Sequence, residues 1–567
     1  MIIERELMAQ DTSIDRFERA SLVHWDGRLD NRDDLLPLLA DSLRDDTSNS
    51  AIALATYKRW GVDGFVRLIG DWSIVIQDHV SRAIVLASDY AGVRPLYYSV
   101  QQQHVFWSSR LQSVVDATRI SELDEQYVGA FLLFGGCPNR TPYNGIYSVP
   151  AGHSVHVSST GVKISRFWEL PIRDEVRHQS ERRYEEQLRA LFREAVSVRL
   201  QTGAPVLAEL SGGLDSSSVI SMANQLMRSG AARATSLTSV SYVWRNSLDE
   251  PFIREMESFC GVRGIHISTH DVPVAAEKDV GNATPAMFQP FRTSLASLAR
   301  QYGANVILTG SHGDLMMGNW FDDSCQLAAF LRRLCIARAC KEALEWSKIL
   351  RRPVYRLLWQ ALCAALPSAL APLDIYAASD GSYVIKSAET SLLPGVIDRL
   401  GVSEARLFSD DWMLAAPERR KYFRALSMMI ELRALQAPEP LQHLDYTHPF
   451  AHRPLVEFVM TVPVDVLCGP GQPRKLMRSA LSDLWPVKLR HRRSKGLFHV
   501  PSQESLRQLA RILLNDRELH LVERGFVDRQ SVLSRMQRLS TGLDCNIAQL
   551  RYVILLELWL RKRMGIW

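Results

Sequence analysis

The stretch LAELSGGLDSSSVISMANQLM, Leu207 to Met227, has the residue types and order of an anion site. An apolar run ends at Ser211, Gly212, Gly213 and Leu214, an aspartate follows at Asp215, and Ser216 and Ser217 lead into a helical pattern. Glycines let a backbone approach a ligand closely and adopt positive φ. The helix that follows aims free N–H groups and the positive end of its dipole at the turn. This suits a phosphate or pyrophosphate. The turn is neither a GxxxxGK[ST] loop nor a GxGxxG loop. A carboxylate beside phosphates repels them unless a cation intervenes, and Mg²⁺ takes one or two carboxylates plus substrate phosphates. Asp215 therefore points to ATP with Mg²⁺. A second stretch, LTGSHGDLMMG, sets Gly310, Ser311, His312 and Asp314 after another strand. Asp314 is a second candidate metal ligand there, although alone it reads as a turn aspartate.

These residues need elements to hold them. The apolar run Val206–Leu210 predicts a strand, and a helix is expected through Met227. TSLTSVSYV and NVILTG predict further strands, with a helix from about Glu250 to Phe259. Strands alternating with helices predict a parallel sheet, whose ligands sit beyond the carboxyl ends of the strands. Before residue 165 the texture differs. Trp72–Gln77 and Ala83–Ala87 predict one antiparallel hairpin, and a turn at Ser159–Gly161 predicts another. Beyond 320 the pattern is mostly helical. The expected linker is ELPIRDEVRHQS, near 170–180, dividing the chain into 1–170 and 180–567.

Composition narrows the class. The 567 residues carry 67 basic and 62 acidic side chains, a net charge of +5. No long basic stripe dominates, so no nucleic-acid partner is expected. The densest basic cluster, KLRHRRSKG from Lys488 to Gly496, reads either as a solvated or RNA-contacting loop or as a site for phosphate and carboxylate oxygens. Eight cysteines form no CxxC pair, which suits reduced thiols in a cytoplasmic protein. The N-terminus lacks a secretory pattern. The apolar run Leu357–Leu373 is short for a membrane span and contains Pro367 and Pro372, so it is expected to form helices packed inside a domain.

Several segments together resemble the asparagine synthetase superfamily. WDGRLDNRDDL (Trp25–Leu35) and GDWSIVIQD followed by ASDYAGVRPLYYS (Gly70–Ser99) are similar to its glutamine amidotransferase-like domain. SGGLDSS, TGSHGD, DYTHPFAHRPLVEFVMTVP (Asp445–Pro463) and RKLMRSAL with WPVKLRHRRSKG (Arg474–Gly496) are similar to its synthetase domain. The resemblance implies an α+β antiparallel sandwich followed by an α/β PP-loop ATP pyrophosphatase domain (adenine nucleotide alpha hydrolase-like) with helical C-terminal additions. It also implies cleavage of ATP between its α- and β-phosphates.

The departures from the family pattern direct the functional reading. Glutamine-using members carry a catalytic cysteine directly after the initiator methionine; here Ile2 follows Met1, and the first cysteine is Cys137. A chain without that nucleophile needs another amine. The layout, and DGRLDNRDDL in particular, looks most like the lasso-peptide cyclases. These activate an Asp or Glu side chain of a leaderless core peptide and close a macrolactam with its N-terminal amine. The resemblance implies a precursor peptide as substrate, and a leader peptidase and a leader-binding protein as partners. The alternatives are an ammonia-dependent asparagine synthetase, a β-lactam synthetase-like ligase and a non-catalytic scaffold. β-Lactam synthetases use a tyrosine–glutamate base, and Ser311 and Asp445 stand in those positions. Serine lacks the phenol chemistry. His312 is then either the base or a loop histidine bound to backbone, and Asp445 either orients the amine or caps the chain near Pro449. Lys495 matches the family lysine that stabilises the charged transition state. Lys475 and Arg478, on an apparent helix, are candidates to reach phosphates, while Arg492 and Arg493 either assist or are solvated.

Overall fold

The computed structural model describes residues 10–13, 21–43, 46–172, 175–178, 180–244, 247–269, 284–285, 289–318, 322–366, 391–492, 499–515, 518–543 and 547–565. The N-terminal part is built from two antiparallel sheets, one of four and one of five strands. Trp72–Asp78 and Ala83–Ser88 form the expected hairpin, with Ile74 opposite Ala87 and Ile76 opposite Val85. Both strands are almost wholly buried. One cluster, including Ile74, Ile76 and Val85, packs under the helices Arg32–Leu39 and Asn49–Trp60. A second cluster, including Val75, Ile84 and Leu86, joins Tyr98, Val105 and Trp107 of the other sheet. Alternate residues of one hairpin thus serve two layers, as the two-residue period of a strand requires. His153–Ser158 and Gly161–Arg166 complete the second expected hairpin.

The second part centres on a five-stranded parallel sheet. Its spatial order is Arg263–Ser268, Leu237–Val243, Val206–Glu209, Val306–Leu308 and Asp445–Thr447. The central strand Val206–Glu209 has Leu237–Val243 on one side and Val306–Leu308 on the other, so the strand order reverses beside it. A crevice at such a reversal is where open α/β sheets hold ligands. The helix Leu214–Arg228 leaves the central strand across that crevice.

The two parts share a core. Tyr90, Ala91, Val93 and Trp168 of the N-terminal part pack in one apolar cluster with Val206, Ala208 and Leu210 of the central strand and its turn, and with Phe423 and Phe450. Trp168 Nε1 donates to Glu457 at 2.8 Å. The expected linker is not a loose tether, because Val176 N–H donates to Thr461 O at 2.9 Å and Glu175 pairs with Arg333 at 2.7 Å. The motif DGRLDN is also spent internally. Arg28 donates to Asp71 at 2.9 Å, and Asn31 donates to Arg67 O and accepts from Ile69 N–H, each at 3.0 Å.

The apolar run from Leu357 is packed on one side only. Its helix, Val354–Ala365, buries Leu357, Ala361 and Ala364 and exposes Tyr355, Trp359 and Leu362. The rest of that run, beyond 366, lies outside the described residues. Among the described residues, no helix is long and apolar enough to cross a membrane.

Candidate functional site

The glycine turn sits at the carboxyl end of the central strand. Gly212 has φ +70°, and a Cβ there would lie 3.0 Å from Asp249 O, so the position favours glycine on both counts. Ser211 N–H donates to Ser216 Oγ at 3.1 Å, and Ser216 Oγ donates to Gly213 O at 3.3 Å. From behind, Trp485 Nε1 donates to Ser218 Oγ at 3.0 Å, which anchors the helix. Ser217 Oγ is buried with no hydrogen-bond partner among the described residues.

The second loop lies directly on the first. A Cβ on Gly310 would stand 2.3 Å from Ser216 N, and one on Gly313 would stand 2.7 Å from the Asp215 carboxyl carbon. The two stretches singled out in the sequence therefore form one backbone-to-backbone cradle. Asp215 is buried, and Arg474 donates to its Oδ1 at 2.8 Å. Arg474 Nε is itself buried without a partner among the described residues. Buried donors lacking acceptors are costly, so Ser217 Oγ and Arg474 Nε fit a polyanion at this turn. Asp314 is exposed, one residue beyond Gly313, and accepts from Leu315 N–H at 3.0 Å. Among the described residues no group of three or more His, Cys, Asp or Glu side chains is placed to hold a metal. Asp215, under the facing loop, and Asp314, beyond it, are the carboxylates that would hold a Mg²⁺ whose remaining ligands are phosphates and waters.

The other expected residues divide. Ser311 N–H donates to Thr309 Oγ1 at 3.2 Å, which fixes the second loop. His312 has φ +67° and is hydrogen-bonded to the backbone of Ala434. Burial pushes its pKa below the ordinary histidine value, so the ring is neutral at pH 7. Asp445 does not join the loops. It is aligned with Val306, the first residue of its neighbouring strand, whereas Thr447 is aligned with Leu308, the last. At about 3.3 Å per residue, it lies ~7 Å back from the carboxyl end. There it pairs with Arg94 of the N-terminal part. Lys475 pairs with Glu181 at 2.8 Å. Arg478 donates to Arg490 O and Arg492 O at 2.9 and 3.1 Å, bracing that segment. Arg492 is neither solvated nor turned to a ligand: it donates to Gly212 O at 2.8 Å, pairs with Asp249 and covers the Phe252 ring. Lys495 and Arg493 lie outside the described residues.

Three residues went unnoticed in the sequence. Arg474 precedes Lys475, but its φ of +58° puts it outside the helix that starts at Lys475, so helical spacing did not mark it. Thr309 and His448 are brought together by the pairing of their strands. Thr309 Oγ1 donates to His448 Nδ1 at 2.6 Å, while His448 Nε2 donates to Leu435 O at 3.0 Å. The His448 ring meets His312 edge-on, with centroids 5.8 Å apart.

This chain of contacts reaches the N-terminal part. Thr447 Oγ1 donates to Asp71 at 2.8 Å and accepts from Arg199 Nε at 2.7 Å. Thr447 O accepts from Thr309 N–H at 3.1 Å. Asp71 thus buttresses the strand ends that carry the second loop. Burial opposes its charge, but Arg28 and Arg199 outweigh burial and hold its carboxyl well below the usual carboxylate range.

His448 supplies a pH test. Burial, with His312 adding to it, pushes its pKa down to about 3. The unfolded chain takes up a proton at this position below about 6.5, and the folded chain does not. The stability contributed by neutral His448 is therefore present above pH 6.5 and lost as pH falls towards 3. His448→Gln is expected to flatten the fall in unfolding free energy between about pH 6.5 and 4, by up to about 1.4 kcal/mol per pH unit. Parallel profiles for the two proteins in urea denaturation would refute this.

Comparison with known proteins matches this architecture. The Asparagine synthase family model matches residues 187–561, and the glutamine amidotransferase domain model matches residues 19–168. Asparagine synthetase [glutamine-hydrolyzing] 3 of Bacillus subtilis is 23% identical over 480 residues, covering 79% of this chain and 70% of that protein. Amidase chyE of Penicillium rubens is 27% identical over 303 residues, covering 47% of this chain and 42% of that protein. The B. subtilis glutamine phosphoribosylpyrophosphate amidotransferase structure aligns at 13% identity over 54% of this chain and 73% of its own, with a TM-score of 0.22. With the ATP-type turn, its opposing loop and the family match in place, the chain belongs to the asparagine synthase family of ATP-dependent, amide-forming ligases.

Proposed function

We propose that this ligase is a lasso-peptide cyclase, which adenylates an Asp or Glu side chain of a leaderless core peptide and closes a macrolactam with the peptide's own N-terminal amine. The observation that carries the reading is the lack of a usable thiol in the amidotransferase-like part. No cysteine precedes Cys137. Cys137 is buried, and burial pushes its thiol up to about 12, so it does not supply a thiolate at neutral pH. The DGRLDN residues that resemble the glutamine domain are engaged in binding one another and, through Asp71, the synthetase sheet. The amine in this reading is the peptide's own N-terminal amine.

ATP is held on Ser211 to Ser217, with Gly310 closing the cradle. Asp215 and Asp314 would hold a Mg²⁺, which would neutralise charge at the phosphates. The substrate carboxylate attacks the α-phosphorus and pyrophosphate leaves. The amine then attacks the acyl carbon and AMP leaves, with neutral His312 as the base that takes the proton in this reading. Fixing both ends of the peptide removes much of the entropic cost of ring closure. A precursor peptide, a leader peptidase and a leader-binding protein are the partners this reading requires, in the cytoplasm.

The test is mass spectrometry of a leaderless core peptide incubated with enzyme, ATP and Mg²⁺. The expected product has lost one water, about 18 Da for an amide condensation. The name of one relative, a glutamine-hydrolyzing asparagine synthetase, favours asparagine synthesis as a second reading, with free ammonia as the amine here because no cysteine precedes Cys137. Asparagine formed from aspartate and ammonia, with the peptide unchanged, would replace the cyclase reading.

A further inference from the structure

A cavity of about 230 Å³ lies where the N-terminal part meets the segment Leu432–Gln442. A volume of roughly 10–15 Å³ admits one water, so this space takes a group of several heavy atoms. Its lining includes Tyr97, Tyr127, Cys137, Ser148, Arg433 and Glu439. It adjoins the candidate site through the backbone: Ala434 is hydrogen-bonded to His312, and Leu435 O accepts from His448.

The charged groups of the lining are Arg433, Arg140 and Glu439, and Arg433 has no ion pair among the described residues. Arg433 donates to Val149 O at 3.0 Å, and no carboxylate lies within ion-pair distance of it among the described residues. What faces its guanidinium is Tyr97, Cys137 and Tyr98, all neutral at pH 7 because burial raises each of them. Arg140, also in the lining, is already paired with Asp124 at 2.6 Å. Glu439 has its own partner and acts on Tyr97 and Tyr143. The hydroxyls of Tyr97 and Tyr127 have no hydrogen-bond partner among the described residues, and Ser148 Oγ is buried without one. A half-buried guanidinium beside unused hydroxyl donors is an arrangement that receives an anion, and its planar fork matches a carboxylate.

We propose that this cavity binds a carboxylate of the substrate that the reaction does not consume, with Arg433 as its counter-ion and Tyr97 as a hydroxyl donor. The carboxylate is an acidic side chain or a chain terminus. The peptide occupant rests on the cyclase reading; the carboxylate chemistry does not.

The probe is glutarate, added to the full chain without ATP, with glutaramide as its neutral match. The expected result is a thermal midpoint that rises and saturates with glutarate but not with glutaramide. Arg433→Gln should lose that rise, Arg433→Lys should keep part of it, and Tyr97→Phe should weaken binding several-fold while folding normally. An equal glutarate response in Arg433→Gln, or an equal response to sodium chloride at matched ionic strength, overturns the proposal. If Arg433→Gln does not fold, an unchanged glutarate affinity in Tyr97→Phe and Arg433→Lys together overturns it. N-acetylglutamate α-methylamide carries only the side-chain carboxylate, and N-acetylglutamine only the terminal one. Tighter binding of either assigns the source, and binding of neither overturns the substrate assignment. ATP is absent throughout, so a failed cyclisation assay leaves this result standing, and the reverse holds too.

Discussion

Gly310→Ala is expected to weaken ATP–Mg²⁺ binding at least about ten-fold and to lower amide formation about 100-fold. The new Cβ would lie 2.3 Å from Ser216 N and 2.5 Å from Ser216 Cα. Both are backbone atoms at the start of a helix anchored by Trp485, so no rotamer change relieves the clash. The loops must separate by about 1 Å, and a displacement of that size near a reacting centre costs roughly 100-fold in rate. Gly203→Ala is the matched control, because nothing lies within 4 Å of a Cβ there. Titration of both variants with ATP–Mg²⁺ checks the expectation. Wild-type affinity in Gly310→Ala would mean that the second loop does not bound the nucleotide.

The second large effect concerns Asp215 and Arg474, whose side chains are 10% and 8% exposed. Asp215→Ala strands the guanidinium, and breaking a buried pair from one side costs about 3–5 kcal/mol. Asp215→Ala combined with Arg474→Ala strands no charge. Much of the lost stability should return in the double variant, whereas ATP–Mg²⁺ binding should stay lost. That split separates the ion pair's structural part from Asp215's part at the phosphates. Denaturant unfolding and nucleotide titration of the two single variants and the double variant measure it. Recovery of nucleotide binding in the double variant would show that Asp215 serves only to neutralise Arg474.

The first domain has a role that needs no glutamine. Asp71 binds Thr447, Thr447 binds Thr309 through its carbonyl, and Thr309 binds both Ser311 and His448. These bonds run from the N-terminal part to the loop that closes the nucleotide cradle of the other. The same side chains that resemble a glutamine site, Arg28 with Asp71, form the foot of that chain. These bonds give the N-terminal part a structural role at the second loop.

How much of the site was legible depended on the range of the interaction. SGGLDSS and TGSHGD could be read directly, because a glycine turn, its serine hydroxyls and the helix behind it are neighbours along the chain. The hairpins at Trp72–Asp78 and His153–Ser158 were equally open, since a two-residue alternation and a turn are local features. Asp445 could not be placed from the sequence, because its position depends on which end of a three-residue strand faces the loops, and only strand pairing decides that. Arg492 was ambiguous until Gly212 O, Asp249 and Phe252 surrounded it.

The sequence by itself determined the class of chemistry: an ATP turn with a carboxylate, a facing glycine loop, and no cysteine before Cys137. Only the tertiary structure decided that Arg474 holds Asp215, that His448 meets His312, and that Arg433 stands in a cavity without a carboxylate partner among the described residues. The reason is physical. A turn's geometry is set by the φ and ψ of adjacent residues, whereas a buried charge is set by whatever the fold brings within a few ångströms. For Asp215 and Arg474 that partner is 259 positions away along the chain.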